Sequence, residues 1–116
     1  SNQRLIETMI QAVFYMYSDK TYRGFSVSGH AGYENAGKDI ICASVSALVI
    51  NTVNAVDALT ENVCACEQDS SGSIKFKFSS DSDEQGQLLI RALDMGLSNI
   101  EKEYGKKYLQ VHYKEV

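Results

Sequence analysis

His30 and Cys42 are the residues whose types and spacing suggest chemistry. They lie twelve positions apart, and the segment between them contains Gly32 and Gly37. A cysteine attacks a carbonyl as the thiolate, so it needs a neighbouring base and surroundings that favour negative charge. A histidine is the side chain best suited to take and return a proton near neutral pH. The pair therefore predicts a Cys/His nucleophilic site.

Asp39 is a candidate N-cap for a long helix, because a long run with helical spacing of apolar residues follows it. This cap would place Cys42 in the first helical turn, where unpaired backbone N–H groups and the helix dipole stabilise a thiolate and an oxyanion. The dipole contributes only about 0.3–1 kcal/mol at an exposed site. Activation of the thiol therefore depends on His30.

Each residue of this group also has a structural interpretation. Cys42 alone would be a buried core cysteine, because free cysteine packs as a small apolar residue. His30 alone would be a polar residue at a strand end, and Asp39 a cap. Ser46, four residues after Cys42 and hence on the same helix edge, would be an ordinary helix-face serine. In the catalytic interpretation, Asp39 or Ser46 orients His30 or binds substrate.

Cys64 and Cys66 lie two positions apart in a predicted strand and therefore share one face. A metal site would need two further ligands, and none stands at a recognised spacing. We expect structural packing for this pair, with no metal and no cofactor in the protein.

Lys75 and Lys77 alternate with apolar residues in another predicted strand. We expect them to form a solvated face, with contact to a partner as the alternative. Tyr15, Tyr17 and Tyr22 are expected to pack on the sheet.

Hydrophobic periodicity predicts seven elements in the order ββαββα plus a terminal strand. The predicted strands span 10–17, 22–29, 63–67, 74–78 and 108–113; one helix runs from Asp39 to Asn62, and another begins within 80–84 and ends at Gly105. Such units form an α+β two-layer sandwich, a mainly antiparallel sheet with both helices on one face. Residues 9–116 are predicted to be a single domain, and residues 1–8 an N-terminal extension.

Composition narrows the class of partner. The net charge is -4 and the pI about 5.1, which argues against direct nucleic-acid binding and mildly favours a basic partner. No membrane association is expected, because Asn51 and Asn54 interrupt the longest apolar run before it reaches about 18 residues. Residues 1–8 do not form a secretory signal. Three cysteines fit a disulfide framework poorly and favour a reducing cytoplasm.

Two stretches carry a family resemblance: Phe25 to Tyr33 (FSVSGHAGY) and Gly37 to Leu48 (GKDIICASVSAL). In these two stretches the chain resembles the family of ribosomal-processing cysteine proteases called Prp or YsxB-like. The resemblance implies a cytoplasmic endopeptidase of Firmicutes-type bacteria. Such an enzyme removes a short N-terminal extension from large-subunit ribosomal protein number twenty-seven, and family members are typically homodimers.

By position, the resemblance makes Cys42 the nucleophile and His30 the base and later the acid, with Asp39 and Ser46 supporting them. It also implies a substrate-gating loop over 31–38, with Gly32, Tyr33 and Gly37 inside it and Gly29 just before His30 as a further gating residue. Two other functions stay open. One is a non-catalytic ribosome-associated binding module, and the other is a general thiol hydrolase acting on small molecules.

Overall fold

The computed structural model describes residues 9–29 and 36–116, with the backbone alone for residues 36–39. The observed order of elements confirms the predicted one, and most boundaries shift by only one or two residues. The elements are β1 (Ile10–Met16), β2 (Tyr22–Ser28), α1 (Ala36–Leu59), β3 (Cys64–Gln68), β4 (Ile74–Phe78), α2 (Glu84–Tyr104) and β5 (Leu109–Glu115).

The strands form one five-stranded sheet in the order β3-β4-β2-β1-β5. All neighbouring strands are antiparallel except β1 and β5, which are parallel. Parallel strands need a crossover connection, and a helix is the usual one. In this sheet β2 and β3 run in the same direction, as do β4 and β5, so α1 and α2 are the two crossovers. The predicted α+β sandwich with a mainly antiparallel sheet is confirmed.

Strict alternation along the strands directs one face of the sheet toward the helices. In β4, Ile74, Phe76 and Phe78 are buried, whereas Lys75 and Lys77 are exposed. The ring of Phe76 stacks on that of Phe25, with centroids 5.1 Å apart. Both helices contribute to the same core. Its residues from α1 are Ile41, Cys42, Val45, Val49 and Val56, and its residues from α2 are Ile90, Leu93 and Leu97.

The helix α1 is more apolar than the sequence analysis allowed. Its segment Ile40–Leu59 is long and apolar enough to cross a bilayer by length and composition, despite Asn51 and Asn54. The earlier expectation that these asparagines exclude such a segment is therefore wrong. The structure nevertheless gives α1 the role of a core helix, because its buried side chains pack against the sheet.

The start of α2 is joined to the end of α1 by a side-chain network. The Asp83 carboxylate caps α2 by accepting from the Gly86 backbone N–H at 2.9 Å. Asn62 donates to the same Asp83 oxygen at 2.7 Å and accepts from the Asp83 N–H at 2.9 Å. These bonds, first the one from Gly86, lower the pKa of Asp83. The cap confirms that the acidic stretch begins the second helix, and it ties the start of α2 to Asn62 in the segment that follows α1.

A second network attaches α2 to the sheet. Asp94 on α2 accepts hydrogen bonds from the hydroxyls of Tyr22 and Tyr113, each at 2.6 Å. Burial, followed by the hydrogen bond and the negative charge of Asp94, raises the pKa of Tyr22. The protonated hydroxyl of Tyr22 is therefore part of the native structure.

The end of β2 depends on a glycine. Gly29 has a φ of +82°, which L side chains rarely adopt. A Cβ added there would lie 2.5 Å from the Met9 carbonyl oxygen and 3.3 Å from the Ile10 Cα. The backbone at the start of β1 cannot move as a flexible side chain can. The chain therefore leaves β2 along a path that glycine alone permits.

We predict that Tyr22→Phe lowers the free energy of unfolding by about 1–2 kcal/mol at pH 7, because the hydrogen bond to charged Asp94 is lost. The pKa of Tyr22 is higher in the folded protein than in the unfolded chain. Its contribution to stability is therefore complete below the unfolded value of about 10, and it is lost as pH rises above that value. Urea unfolding at a series of pH values should show a steeper alkaline loss in the parent protein than in Tyr22→Phe. Tyr15→Phe is the control, since its hydroxyl contacts neutral Ser26 at 3.3 Å. Equal alkaline slopes in parent and Tyr22→Phe would contradict the assignment.

We also predict that Gly29→Ala destabilises the protein more than Gly105→Ala does. Both glycines have positive φ, so each alanine carries backbone strain of about 1–3 kcal/mol. A Cβ at Gly105 meets nothing within 4 Å, whereas a Cβ at Gly29 meets the Met9 backbone. Urea unfolding of the two variants isolates this close contact. A smaller loss at Gly29 than at Gly105 would argue against a rigid junction between β2 and β1.

Candidate functional site

The candidate nucleophile Cys42 belongs to the buried stripe of α1. Cys42 is 7% exposed and is part of the hydrophobic core. The spacing of three and four residues that continues from Cys42 through Val45, Val49, Thr52 and Val56 places them all on one helix face, and all are buried. Packing of this stripe on the sheet therefore fixes the position of the sulfur.

Asp39 does not cap α1, so the prediction of its capping role is wrong. The described helix begins at Ala36, which makes Asp39 its fourth residue and Cys42 its seventh. Gly37 suggested a loop, since a glycine inside a helix costs about 1 kcal/mol relative to alanine. The long buried stripe that follows outweighs this cost, because tertiary packing supplies most helical stability in proteins.

The corrected register changes the electrostatic argument for Cys42. The unpaired N–H groups of a helix belong to its first turn, and the dipole effect falls off within that turn. Cys42 lies one turn further along, where the backbone N–H bonds within the helix. The helix terminus therefore supports the thiolate less than the sequence analysis expected, and a histidine base becomes more necessary.

Ser46 and Asp39 flank Cys42 along the same helix. Ser46 follows it by four residues and is half-buried, and Asp39 precedes it by three residues. Residues at these spacings are neighbours on a helix surface. The continuous helix thus confirms the spacing on which their supporting roles rest. The roles themselves stay predictions.

Three of the predicted site residues, His30, Gly32 and Tyr33, lie outside the described residues. Of the predicted loop, the structure describes Gly29 and the backbone of Gly37. Gly37 lies in the first turn of α1, so the expectation that the loop extends to residue 38 is wrong. The predicted contact between His30 and Cys42 is therefore untested by the geometry. What the structure shows is that Gly29, the residue preceding His30, packs tightly against Met9.

The turn between β3 and β4 is a site-flanking feature whose position the sequence analysis missed. Val27 near the end of β2 pairs with Ile74 at the start of β4, so this turn lies beside Gly29. Asp69 holds the turn by accepting from the Ser71 hydroxyl at 2.6 Å and from the Ser73 N–H at 3.1 Å. The Ser71 hydroxyl is the main cause that lowers the pKa of Asp69. The Asp-Ser-Ser-Gly sequence of this segment predicts a turn, but only the pairing of the strands shows what lies next to the turn.

The other two thiols are poorly suited to nucleophilic chemistry. Cys64 pairs with Phe78 and Cys66 with Phe76, so both lie on the helix-facing side of the edge strand β3. Partial burial raises the pKa of both thiols, and the charge of Asp57 adds to the effect at Cys64. No group of three or more His, Cys, Asp or Glu within the described residues could hold a metal ion. The sequence motif with His30 is what distinguishes Cys42 from these two thiols as the candidate nucleophile.

Comparison with known proteins gives the family. Residues 9–109 match the sequence model of the family described as Cysteine protease Prp. The ribosomal processing cysteine protease Prp of Bacillus subtilis is 35% identical over 102 residues, which cover 83% of this chain and 90% of that protein. Its counterpart from Staphylococcus aureus is 30% identical over 89 residues, covering 76% and 83% of the two chains.

Solved structures agree with these matches. A Streptococcus mutans protein superposes with a TM-score of 0.85 at 30% identity, over 94% of this chain and 97% of that one. Prp from Staphylococcus aureus, described as an essential ribosomal processing protease and solved with a substrate peptide, gives a TM-score of 0.84 at 25% identity, over 91% of this chain and 100% of that one. The family match spans both halves of the His30–Cys42 motif and every described element up to the first residue of β5. The chain belongs to the Prp family of ribosomal processing cysteine proteases.

Proposed function

We propose that this protein is a cytoplasmic endopeptidase that removes the N-terminal extension of large-subunit ribosomal protein number twenty-seven, with Cys42 as nucleophile and His30 as its base. The observation that carries the proposal is the position of Cys42 at the N-terminal end of the buried stripe of α1, inside the family match. Related Prp from Staphylococcus aureus has been solved with a substrate peptide and with a covalently linked product peptide. A covalent product is what an acyl-enzyme route forms.

The reaction would proceed in two halves. The Cys42 thiolate attacks the scissile carbonyl carbon and forms a C–S bond, while protonated His30 gives its proton to the leaving amine as the C–N bond breaks. Water then attacks the thioester carbonyl and gives a proton to His30, and the C–S bond breaks to release the new carboxyl end. In this scheme Asp39 and Ser46 orient His30 or the substrate.

The segment 31–35, with Gly32 and Tyr33, would admit the substrate and then exclude water, which is the usual function of such loops, whereas Gly37 belongs to the first turn of α1 beside it. Gly29 would be its fixed end, because its backbone packs against Met9. A homodimer is part of the proposal by analogy with the family, and the exposed edges of β3 and β5 are the surfaces on which strands can associate.

The burial of Cys42 favours a second candidate, a non-catalytic ribosome-associated binding module. A cysteine that is 7% exposed within a hydrophobic core packs as a structural residue does. The two candidates differ in what the thiol does rather than in where it lies. Measurements of cleavage and of thiol reactivity therefore distinguish them.

We predict that Cys42→Ala abolishes cleavage of the extended ribosomal protein, with a loss of more than about 10³-fold, because no nucleophile remains. The product's new N-terminus is identified by mass spectrometry. The fold should persist, since alanine is small and apolar, and circular dichroism checks this. Cys66→Ala is the matched control and should cleave normally, because Cys66 is an exposed thiol on β3. Cleavage at the parent rate by Cys42→Ala would exclude the proposed mechanism.

Thiol alkylation against pH gives a second prediction. In a Cys64→Ser/Cys66→Ser background only Cys42 remains to react. We expect alkylation to be fast already at neutral pH and to slow there when His30→Ala is added, because the imidazolium stabilises the thiolate. In the parent protein Cys64 and Cys66 should give a slow second phase of alkylation. The rate of this phase should keep rising beyond about pH 8.5, where an ordinary thiol titrates. If the alkylation rate of Cys42 has its pH midpoint at about 8.5 both with and without His30, the result would favour the binding module.

A further inference from the structure

The sheet has a second face, turned away from both helices, and its strand register aligns side chains across it. One row of paired residues runs Lys77, Gly24, Tyr15 and Lys114, across β4, β2, β1 and β5. Residues paired in this way share one face of a sheet. The exposure of Lys75 and Lys77, which alternate with buried residues of β4, shows that this face is directed to solvent. No described helix covers it.

A bulge adds a further cation to this face. Tyr15 pairs with Gly24 and Met16 with Tyr22, so Arg23 is the additional residue of β2. Such bulges redirect a side chain and are common beside functional sites. Arg23 consequently lines a cavity of about 350 Å³ together with Tyr15, Gly24, Lys75 and Lys77.

Gly24 lines the cavity, and its position requires glycine. A Cβ there would clash with the carbonyl oxygen of Phe76 on the neighbouring strand. A neighbouring cavity of about 400 Å³ shares Arg23 and Lys77 and is also lined by Tyr17 and Asp81. The two cavities are therefore neighbours, with Arg23 and Lys77 common to their linings.

The charge of this face is opposite to that of the protein. The whole chain has a net charge of -4, yet Arg23, Lys75, Lys77 and Lys114 lie on this face, where one acidic residue lines each cavity, Glu67 the first and Asp81 the second. Within the part of the chain that the structure describes, none of these four cations forms an ion pair or a side-chain hydrogen bond. Lys75 acts electrostatically on Asp69 and lowers the pKa of that carboxyl. Neighbouring like charges repel one another, so an anionic partner would be stabilised here.

The aromatic rings indicate which kind of anion fits. Tyr15 and Tyr17 line the two cavities, and Tyr17 is 47% exposed. Tyr15 lies in β1 and Tyr17 directly follows the strand, so both rings are available at the same end of β1. Proteins bind single-stranded RNA on open sheets by stacking bases on aromatic side chains and by pairing phosphates with Lys and Arg. An acidic peptide would use the cations but would gain little from the rings.

We propose that this basic face, formed by Tyr15, Tyr17, Arg23, Lys75, Lys77 and Lys114, binds single-stranded RNA without strict sequence preference. The expectation of no direct nucleic-acid contact rested on the net charge, which averages over a surface whose cations the fold gathers on one side. The basic face lies on the other side of the sheet from Cys42, so it is a second site and does not depend on the protease mechanism.

The test is fluorescence anisotropy with a fluorescein-labelled twelve-uridine RNA at low salt. We expect saturable binding by the parent protein, weakened at least tenfold in Lys75→Glu/Lys77→Glu, because reversing two charges removes phosphate contacts. The matched control Lys102→Glu/Lys106→Glu makes the same change in net charge with residues outside the basic face, and it should bind within threefold of the parent. The salt dependence in the first variant should also become shallower. No binding by the parent, or equal loss in both variants, would overturn the proposal.

Tyr17→Ala distinguishes RNA from an acidic peptide. Loss of a stacking ring should weaken RNA binding at least fivefold, while unlabelled polyglutamate of equal charge should compete poorly. If polyglutamate displaces the RNA at equal charge concentration and Tyr17→Ala binds normally, the face recognises acidic protein and the proposal is wrong. Lys75→Glu/Lys77→Glu should still cleave isolated extended ribosomal protein if that protein is the substrate. Failure of the RNA site and failure of the protease assignment are therefore separate results.

Discussion

The site depends on how the buried stripe of α1 packs on the sheet. Val45, Val49 and Val56 are completely buried, and they meet the apolar face provided by residues such as Phe25 and Phe76. Interiors at this packing density tolerate little displacement. Because Cys42 is the first residue of the continuous three-and-four series, its sulfur is held by the same contacts that hold the domain together. Positioning of the proposed nucleophile is therefore not separable from the stability of the core.

Such an arrangement has a chemical consequence. A thiol in an apolar core is well positioned but lacks the neighbouring water that would stabilise its charge. The first turn of α1 lies before it, so the helix terminus offers little of the missing stabilisation. In the proposed mechanism the imidazolium of His30 would balance the charge of the Cys42 thiolate. Gly29, the residue before His30, packs against the Met9 backbone just after β2.

The sequence predicted the elements better than the details of the site, and the reasons are physical. Alternation in β4 and three-and-four spacing in both helices are consequences of one-sided burial, which the sequence records directly. The start of α1 was misplaced because Gly37 is locally unfavourable to a helix, and the compensating packing energy comes from residues two and more turns away. Neither the pairing of Val27 with Ile74 nor the bulge at Arg23 has a local signature, since both follow from strand register.

Register also explains why composition is a poor guide to what this surface binds. Net charge sums over the chain, whereas a partner meets only the side chains that one face presents. Here the alternation that buries Ile74, Phe76 and Phe78 necessarily turns Lys75 and Lys77 to the opposite side. The hydrophobic pattern that builds the protease core therefore also places the cations together on the basic face. A substitution that shifted β4 by one residue would exchange the two sets and disrupt the core and the basic face at once.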